Sequence, residues 1–447
     1  MAVVDTDVFF VRSGERTAVF APLKGVMAEL PASVAAAERE GRADDGGLAH
    51  ILADLGLLVE ADQRTRPPQR SIGGVFAPTG VVFMVTAACN LRCEYCYADA
   101  GDHVVDLFDR TMACDAAAWV VDNAAAAGQP QAYLNFHGGG EPTLDFDLIQ
   151  YVVSWARDYA ASEHGGRVRV VTSMVTNGMA PVARLEWIAD NMDSVQVSYD
   201  GPPEIHDRQR PTTHGKASAT IVRDAILRLQ GRVPDLLVKA TISAASVGSM
   251  VDIAEHFCTT FSLDRFHFGP VLGAGRGRFP QFGEPDPQAF VANYLKAKEV
   301  AERYGRTIVV SGAESTFPRI RETFCGVTDP NFALTPSGHV SSCYEVMYES
   351  DPRSESYFFG QYDPATRSFR IDTDKVVAAR ARSVQGLERC TGCFAKWQCA
   401  GDCQIRWRDS LTGEEATVPD TRCAINRDLI ARRVFLELDR ARPVHEH

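Results

Sequence analysis

Ten of the chain's 12 cysteines fall into two ordered spacing patterns. The first, Cys89-x3-Cys93-x2-Cys96, lies inside TAACNLRCEYCYA. The second begins at Cys325, passes Gly338 and Cys343, continues as Cys390-x2-Cys393-x5-Cys399-x3-Cys403 and closes at Cys423. Three thiolates can hold three corners of a 4Fe–4S cube and leave the fourth iron open to an outside ligand. Seven more thiolates are nearly enough for two further cubes. An open-cornered cluster beside stored clusters is equipment for one-electron chemistry. The pairs Cys390/Cys393 and Cys399/Cys403 also have zinc-ligand spacing, so a zinc-stabilised, non-catalytic adaptor is the alternative of another class. Cys114 and Cys258 lie outside both patterns. Cys258 shares a helical stripe with Val251, Ala254 and Phe261 and reads as core, as does Cys114.

These residues must be positioned by a scaffold, and the pattern from Gly80 to about Gly305 supplies one. GVVFMVT, QAYLNFH, RVRVVTSMVT, SVQVSYD, LLVKATIS and RFHFGPVL read as buried strands. Helical patterns such as PVARLEWIADNM and KASATIVRDAILRLQ lie between them. Six strand–helix units imply a parallel sheet closed partly or wholly into a barrel. Sites in such folds gather at the C-terminal ends of strands. Cys89 to Cys96, Gly138 to Glu141, Asn177 and Asp200 follow the first, second, third and fourth strands in turn.

The flanking regions differ. DVFFVRSGERTAVFAP reads as a hairpin about Ser13-Gly14, followed by helices from about Leu23 to Glu40 and Gly47 to Leu58. Residues 61–80 are rich in proline and glycine and read as a linker. From about Thr307 the alternation stops, and a cysteine-rich region follows, closing with a helix from about Ala424 to Arg440. Metal centres commonly hold such a region together.

At 447 residues, 45% hydrophobic and 23% charged, the chain is globular and long enough for two or three domains. A net charge of −12 argues against nucleic acid as the partner. No apolar run reaches membrane-span length, and the N-terminus has no signal-peptide pattern. Clustered cysteines in such a chain are expected in a reducing, cytoplasmic setting.

CNLRCEYC followed by FHGGGEPTL, VTNG and SYDGPPEIHDRQRP resembles the radical SAM superfamily. The C-terminal set resembles the SPASM extension of peptide-modifying members related to anaerobic sulfatase-maturing enzymes. The resemblance spans about residues 80 to 425. It implies an α/β fold: a partial (β/α)6 TIM barrel (80–305), a small N-terminal α+β, winged-helix-like domain (1–62), a linker (63–79) and a cysteine-rich SPASM domain (306–447). It implies that Cys89, Cys93 and Cys96 bind the catalytic cluster, whose open iron is chelated by S-adenosylmethionine. Tyr95 is placed beside the adenine. Gly139, Gly140 and Glu141 match the segment receiving the methionine amino group. Asn177, Ser198, Asp200 and Arg210 fall where ribose and carboxylate contacts are expected. For Arg210 a structural salt bridge is the competing reading, and for His137 a packed or hydrogen-bonded role.

The resemblance divides the remaining cysteines between two auxiliary 4Fe–4S clusters, making three in all: Cys325, Cys343 and Cys403 for one, Cys390, Cys393, Cys399 and Cys423 for the other. Fully ligated relatives carry an eighth cysteine soon after the first. GVTDPNFALTPS has none, which implies an open iron or a non-cysteine ligand. Where sulfatase maturases carry an Asp base, this chain has Tyr344, a poor base near neutrality. The implied function is modification of a ribosomally made precursor peptide, through a thioether or carbon–carbon side-chain cross-link. The electron donor would be a flavodoxin or ferredoxin. The N-terminal unit is loosely similar to leader-peptide recognition domains. Sulfatase-type maturation or small-alcohol dehydrogenation, and RNA modification, are the competing activities.

Overall fold

The computed structural model describes residues 2–41, 47–103, 107–310, 312, 317–326, 330–407 and 421–441. The chain opens with β1 (Ala2–Val4), β2 (Phe9–Ser13), β3 (Arg16–Ala21) and β4 (Val26–Glu29), then α1 (Ala32–Arg39), α2 (Gly47–Asp54) and β5 (Leu58–Glu60). β2 and β3 form the expected hairpin, β4 adds antiparallel to β3, and β1 pairs with β5. Val19, Ala21, Leu30, Ala35, Leu52 and Leu57 give this unit its own small core.

The helix expected from Leu23 to Glu40 is half strand. Gly25 turns the chain in the left-handed region at φ 67°, VMAE then pairs along β3, and the helix starts only after Pro31. Proline is tolerated at a helix start and not inside one. The second helix stops at Asp54, because Gly56 (φ 68°) turns Leu58 into β5. Residues 64–79 form no helix or strand. Thr65 ties this stretch to Asp5 through its backbone N–H and hydroxyl, and Phe76 packs edge-on to Trp119, Phe332 and Phe359.

Strands and helices then alternate: β6 (Gly80–Phe83), α3 (Arg110–Ala126), β7 (Gln131–Phe136), α4 (Phe146–His164), β8 (Arg169–Thr176), α5 (Val182–Asn191), β9 (Ser194–Ser198), α6 (Pro203–Gln209), α7 (Ala219–Leu229), β10 (Asp235–Ile242), α8 (Met250–Thr260), β11 (Arg265–Pro270), α9 (Pro287–Arg303) and β12 (Thr307–Val310). All neighbours from β6 to β12 pair in parallel. The six expected strands are present, but the alternation does not stop at Thr307: β12 lengthens the sheet beyond β11.

The C-terminal region adds β13 (Asn331–Leu334), β14 (His339–Ser341), α10 (Ser354–Tyr357), β15 (Phe358–Asp363), β16 (Ser368–Ile371), α11 (Thr373–Arg380), α12 (Lys396–Cys399) and α13 (Thr421–Ala441). β13 pairs in parallel with β6, and β14, β15 and β16 follow antiparallel. Among the described residues this makes one open sheet of 11 strands, ordered β12-β11-β10-β9-β8-β7-β6-β13-β14-β15-β16.

The sheet has two unlike faces. Val81, Phe83, Leu134, Phe136, Val238, Ala240, Phe266 and Phe268 point to the helices and join the large core, which takes in both Cys114-bearing α3 and Cys258-bearing α8. The alternate positions point the other way. Val82, Met84 and Ala333 meet Tyr344, Met347 and Tyr348 from the segment after β14, which covers part of that second face.

Candidate functional site

The cysteine loop leaves the C-terminal end of β6 and is fastened mainly through its backbone. The Arg92 guanidinium donates to the carbonyls of Cys89, Leu91, Ala100 and Gly101. Arg276 donates its Nε to the Cys93 carbonyl at 2.9 Å and its backbone N–H to that of Cys96. The backbone N–H groups of Arg92 and Glu94 donate to Pro211 and Gln209.

Gly139 and Gly140 lie against this loop. The Gly140 N–H donates to the Thr86 carbonyl at 2.6 Å and the Glu141 N–H to that of Ala88 at 2.8 Å. A Cβ on Gly140 would stand 1.9 Å from the Ala88 oxygen, and one on Gly139, at φ 65°, 2.7 Å from that of Thr86. Only glycine permits this approach. The glycines thus allow close approach to the loop that carries Cys89, Cys93 and Cys96.

Each thiol of the loop has its own N–H donor. Asn177 Nδ2 lies 3.8 Å from Cys89 Sγ, an Arg210 terminal nitrogen 3.8 Å from Cys93 Sγ, and the Ala100 backbone nitrogen 3.5 Å from Cys96 Sγ. Donors at sulfur favour the thiolate. Burial acts against it, pushing Cys89 up to about 11 and Cys93 to about 12, although Arg210 lowers the latter. Cluster binding must therefore displace protons from these thiols.

Two buried carboxylates organise the strand ends. Glu141 accepts from the Thr143 N–H and hydroxyl, the Thr176 hydroxyl (2.7 Å) and the Asn177 N–H (2.7 Å). Burial raises its pKa against these four donors. Its oxygens thus tie β8 to the glycine segment and hold Asn177, whose side chain also bonds Asn90 at 2.8 Å. Asp200, fully buried, accepts from the Tyr95 hydroxyl at 2.5 Å, Gln209 Nε2 at 2.9 Å, Arg210 Nε at 3.0 Å and the Thr241 N–H at 2.9 Å. Arg210 also stacks over Tyr95, 5.1 Å from the ring centre, and reaches Thr241 Oγ1 at 3.3 Å. So Arg210 forms the structural salt bridge and touches the cysteine loop as well. Ser198, half-buried at the end of β9, is the least engaged of the expected contacts.

The other seven thiols fall into two neighbourhoods. Cys343 and Cys403 pack together against Val346, Tyr357 and Ile405, and both lie in the electrostatic field of Cys325. Cys399 lies in the fields of Cys423, Cys390 and Cys393. Two polar groups absent from the sequence reading attend them. The Glu345 N–H donates to Cys343 Sγ at 3.5 Å, and Asn426 Nδ2 to Cys399 Sγ at 3.4 Å. The Glu345 carboxylate is held by Arg406 at 3.0 Å. Of the stretch read as lacking an eighth cysteine, residues 327–329 lie outside the described residues.

Among the described residues, no three His, Cys, Asp or Glu side chains converge as a single ion's shell requires. Sets made up only of thiols suit an iron–sulfur cluster, in which each thiolate binds a different iron. The donor sets therefore fit iron–sulfur clusters.

Tyr97 lies between the first set and the second, in the fields of Cys96, Cys343, Tyr344 and Glu345. A cavity of about 210 Å³ opens there, lined by Met84, Tyr97, Gly139, Tyr344, Glu345 and Met347 among others. His137 packs against Tyr344, ring centres 4.6 Å apart. Burial holds His137 down to about 4 and pushes the Tyr344 phenol well up.

Residues 83–244 match the Radical SAM superfamily. This stretch is a radical SAM domain, and the chain is an enzyme. It is 22% identical over 277 residues to the sporulation killing factor maturation protein SkfB of Bacillus subtilis (strain 168), covering 60% of each chain. It is 28% identical over 362 residues to the mycofactocin maturase MftC of Mycobacterium ulcerans (strain Agy99), covering 78% of this chain and 89% of MftC. In fold it resembles native anSMEcpe with bound AdoMet and Cp18Cys peptide, with a TM-score of 0.63 and 16% identity over 81% of this chain and 98% of the other. No helix among the described residues is long and apolar enough to cross a membrane.

Proposed function

We propose that the chain is a peptide maturase that installs a side-chain cross-link, thioether or carbon–carbon, in a ribosomally made precursor. The observation that carries this is the grouping of the thiols: a three-cysteine loop with a donor at each sulfur, and beside it neighbourhoods of three and of four. We read these as one catalytic and two auxiliary 4Fe–4S clusters, and the open sheet as a partial (β/α)6 barrel with a SPASM extension. When bound, the catalytic cluster and S-adenosylmethionine supply a 5′-deoxyadenosyl radical that takes a hydrogen atom from the substrate. The chain's own residues hold the loop, orient Asn177 and Arg210 on its sulfurs, and shield the site from water. The three-thiol neighbourhood leaves one auxiliary iron for a substrate group or a non-cysteine ligand. Reduction calls for a low-potential donor such as flavodoxin or ferredoxin, in a reducing compartment.

Maturation is what the names of SkfB and MftC describe, which supports the peptide reading. The N-terminal unit supports it too. β2 is an edge strand among the described residues, and a groove along it is lined by Phe9, Phe10, Arg12, Phe394 and Arg427. We read this as a place where an extended leader peptide adds to the sheet. Sulfatase-type dehydrogenation is the second reading; Tyr344, buried with a raised pKa, is unsuited to act as its base.

Iron and sulfide counted on anaerobic protein, with and without Cys89, Cys93 and Cys96 replaced by Ala, test the cluster reading. About 12 iron falling to about 8 supports it. Zinc in place of iron, or no fall, sinks it. Incubation of the reduced holoenzyme with a candidate precursor then tests the activity. Loss of two hydrogens with a new cross-link in the fragment spectrum is the expected result; the same loss without a new bond favours the dehydrogenase.

A further inference from the structure

The face of the sheet turned away from the helices carries a row of polar groups that cluster binding does not use. Lys239 on β10 stands in register with Ser198 on β9 and His267 on β11. Its neighbours Val238 and Ala240 are fully buried on the helix side, so Lys239 turns to the second face. Asn135 and His137 share that face, because Leu134 and Phe136 go to the core.

Lys239 is half-buried, and no ion pair engages it among the described residues. The acidic group in its field is Asp200, whose oxygens are occupied by Tyr95, Gln209, Arg210 and Thr241. The other charges facing it, Arg422 and Arg210, repel it. Beside it on β11, His267 Nδ1 is buried without a hydrogen-bond partner, and Asn135 Oδ1 is likewise unpartnered further along the same face. A half-buried cation without a counter-ion, beside a buried polar atom left unmatched, is costly and marks a place suited to a ligand.

We propose that Lys239, with His267 beside it on β11, receives a carboxylate of the peptide substrate and so selects which residue meets the radical. The inference rests on the peptide-maturase reading. Burial and Lys239 hold His267 down to about 3, and burial holds His137 down to about 4, so near neutrality both are uncharged and Lys239 is the cation. Thr241, two residues further along β10, bonds Arg210, which reaches Cys93. Two strand residues span about 7 Å. A carboxylate anchored at Lys239 therefore places its own residue, or an immediate neighbour, beside the catalytic loop. The carboxylate comes either from an Asp or Glu side chain or from the peptide's C-terminus.

The test is acylation of Lys239 in the anaerobic holoenzyme, followed by peptide mass spectrometry. The probes are N-acetyl-glycyl-glycine, N-acetyl-aspartyl amide, the uncharged N-acetyl-glycyl-glycinamide, and S-adenosylmethionine alone. The proposal expects one or both acidic probes to slow acylation about fivefold or more, with the uncharged peptide without effect; the stronger acidic probe identifies the source of the carboxylate. Calorimetric affinity for that probe should fall about tenfold in Lys239→Met and be largely retained in Lys239→Arg, at unchanged iron content. Equal protection by the uncharged peptide, none from either acidic probe, or full protection by S-adenosylmethionine alone would overturn it; the last would assign Lys239 to the cofactor. Should Lys239→Met fail to fold, the wild-type acylation still decides. Failure here leaves the iron count and the precursor mass change untouched, so the two readings fall separately.

Discussion

A terminal nitrogen of Arg210 lies 3.8 Å from the sulfur of Cys93, while Nε of the same guanidinium holds Asp200 at 3.0 Å. One planar fork thus joins a buried carboxylate to a thiol of the cysteine loop. Lysine cannot serve both partners. In Arg210→Lys, the charge should leave Cys93, and the catalytic cluster's reduction potential should fall, as read by spectroelectrochemistry. Arg210→Ala strands Asp200 as a buried, unpaired charge and should cost about 3–5 kcal/mol in denaturant unfolding.

The contact between Gly140 and the Ala88 carbonyl makes a sharper test of the loop. A methyl group there meets backbone, not a movable side chain. Gly140→Ala should displace the cysteine loop and lower iron by about 4 per chain, leaving the auxiliary content in place. Full iron retention would show that the two segments can part without consequence.

Glu141 is built as a tie. Its four donors are two backbone N–H groups and two hydroxyls. Glutamine turns an amide NH₂ toward at least one N–H that needs an acceptor. Glu141→Gln should therefore destabilise the protein by about 1–3 kcal/mol in a urea titration, and Asn177 should lose its orientation toward Cys89.

Much of this was legible in the sequence. The six strands of the parallel sheet, the helices over PVARLEWIADNM and KASATIVRDAILRLQ, and the cysteine spacings carry strong local periodicity. Other features were not legible, because they depend on partners far away in the chain. VMAE at residues 26–29 has helical composition, yet an open edge on β3 makes it a strand. TIVV at 307–310 and NFAL at 331–334 are too short to declare themselves, and each is defined by the sheet edge it joins. Tertiary pairing overrides weak local preference. The donors at sulfur were hidden for the same reason: Asn426 meets Cys399 only once α13 packs back. A lysine between two core residues of β10 was an available signal for Lys239, since charge is seldom placed inside a parallel sheet.

Lys239 also gives a prediction about pH. Burial lowers its pKa from 10.5 to about 8. A base with a lowered folded pKa costs stability in full below about pH 8, and the cost is relieved as pH rises toward 10.5. Lys239→Met removes that cost. The variant should be more stable than the parent at pH 7, with the difference shrinking by pH 9.5, as measured by denaturant midpoints.

The thiol neighbourhoods make a countable prediction. If Cys343 and Cys399 serve separate clusters, each single Ala variant should lose about 4 iron and the double variant about 8. A double variant that loses no more than either single would place both thiols on one cluster.

The pairing of Asn331–Leu334 with Gly80–Phe83 has a consequence for how the chain is made. The apolar strand that opens the parallel sheet is an interior strand, and its second neighbour is encoded about 250 residues later. Until the ribosome has delivered that segment, GVVF has an open edge, the kind of surface on which nascent chains stick to one another. The cysteine-rich tail therefore acts as a built-in seal for the part that precedes it. A gene shortened after Val310 would be expected to yield insoluble protein, whatever its cysteine loop could bind.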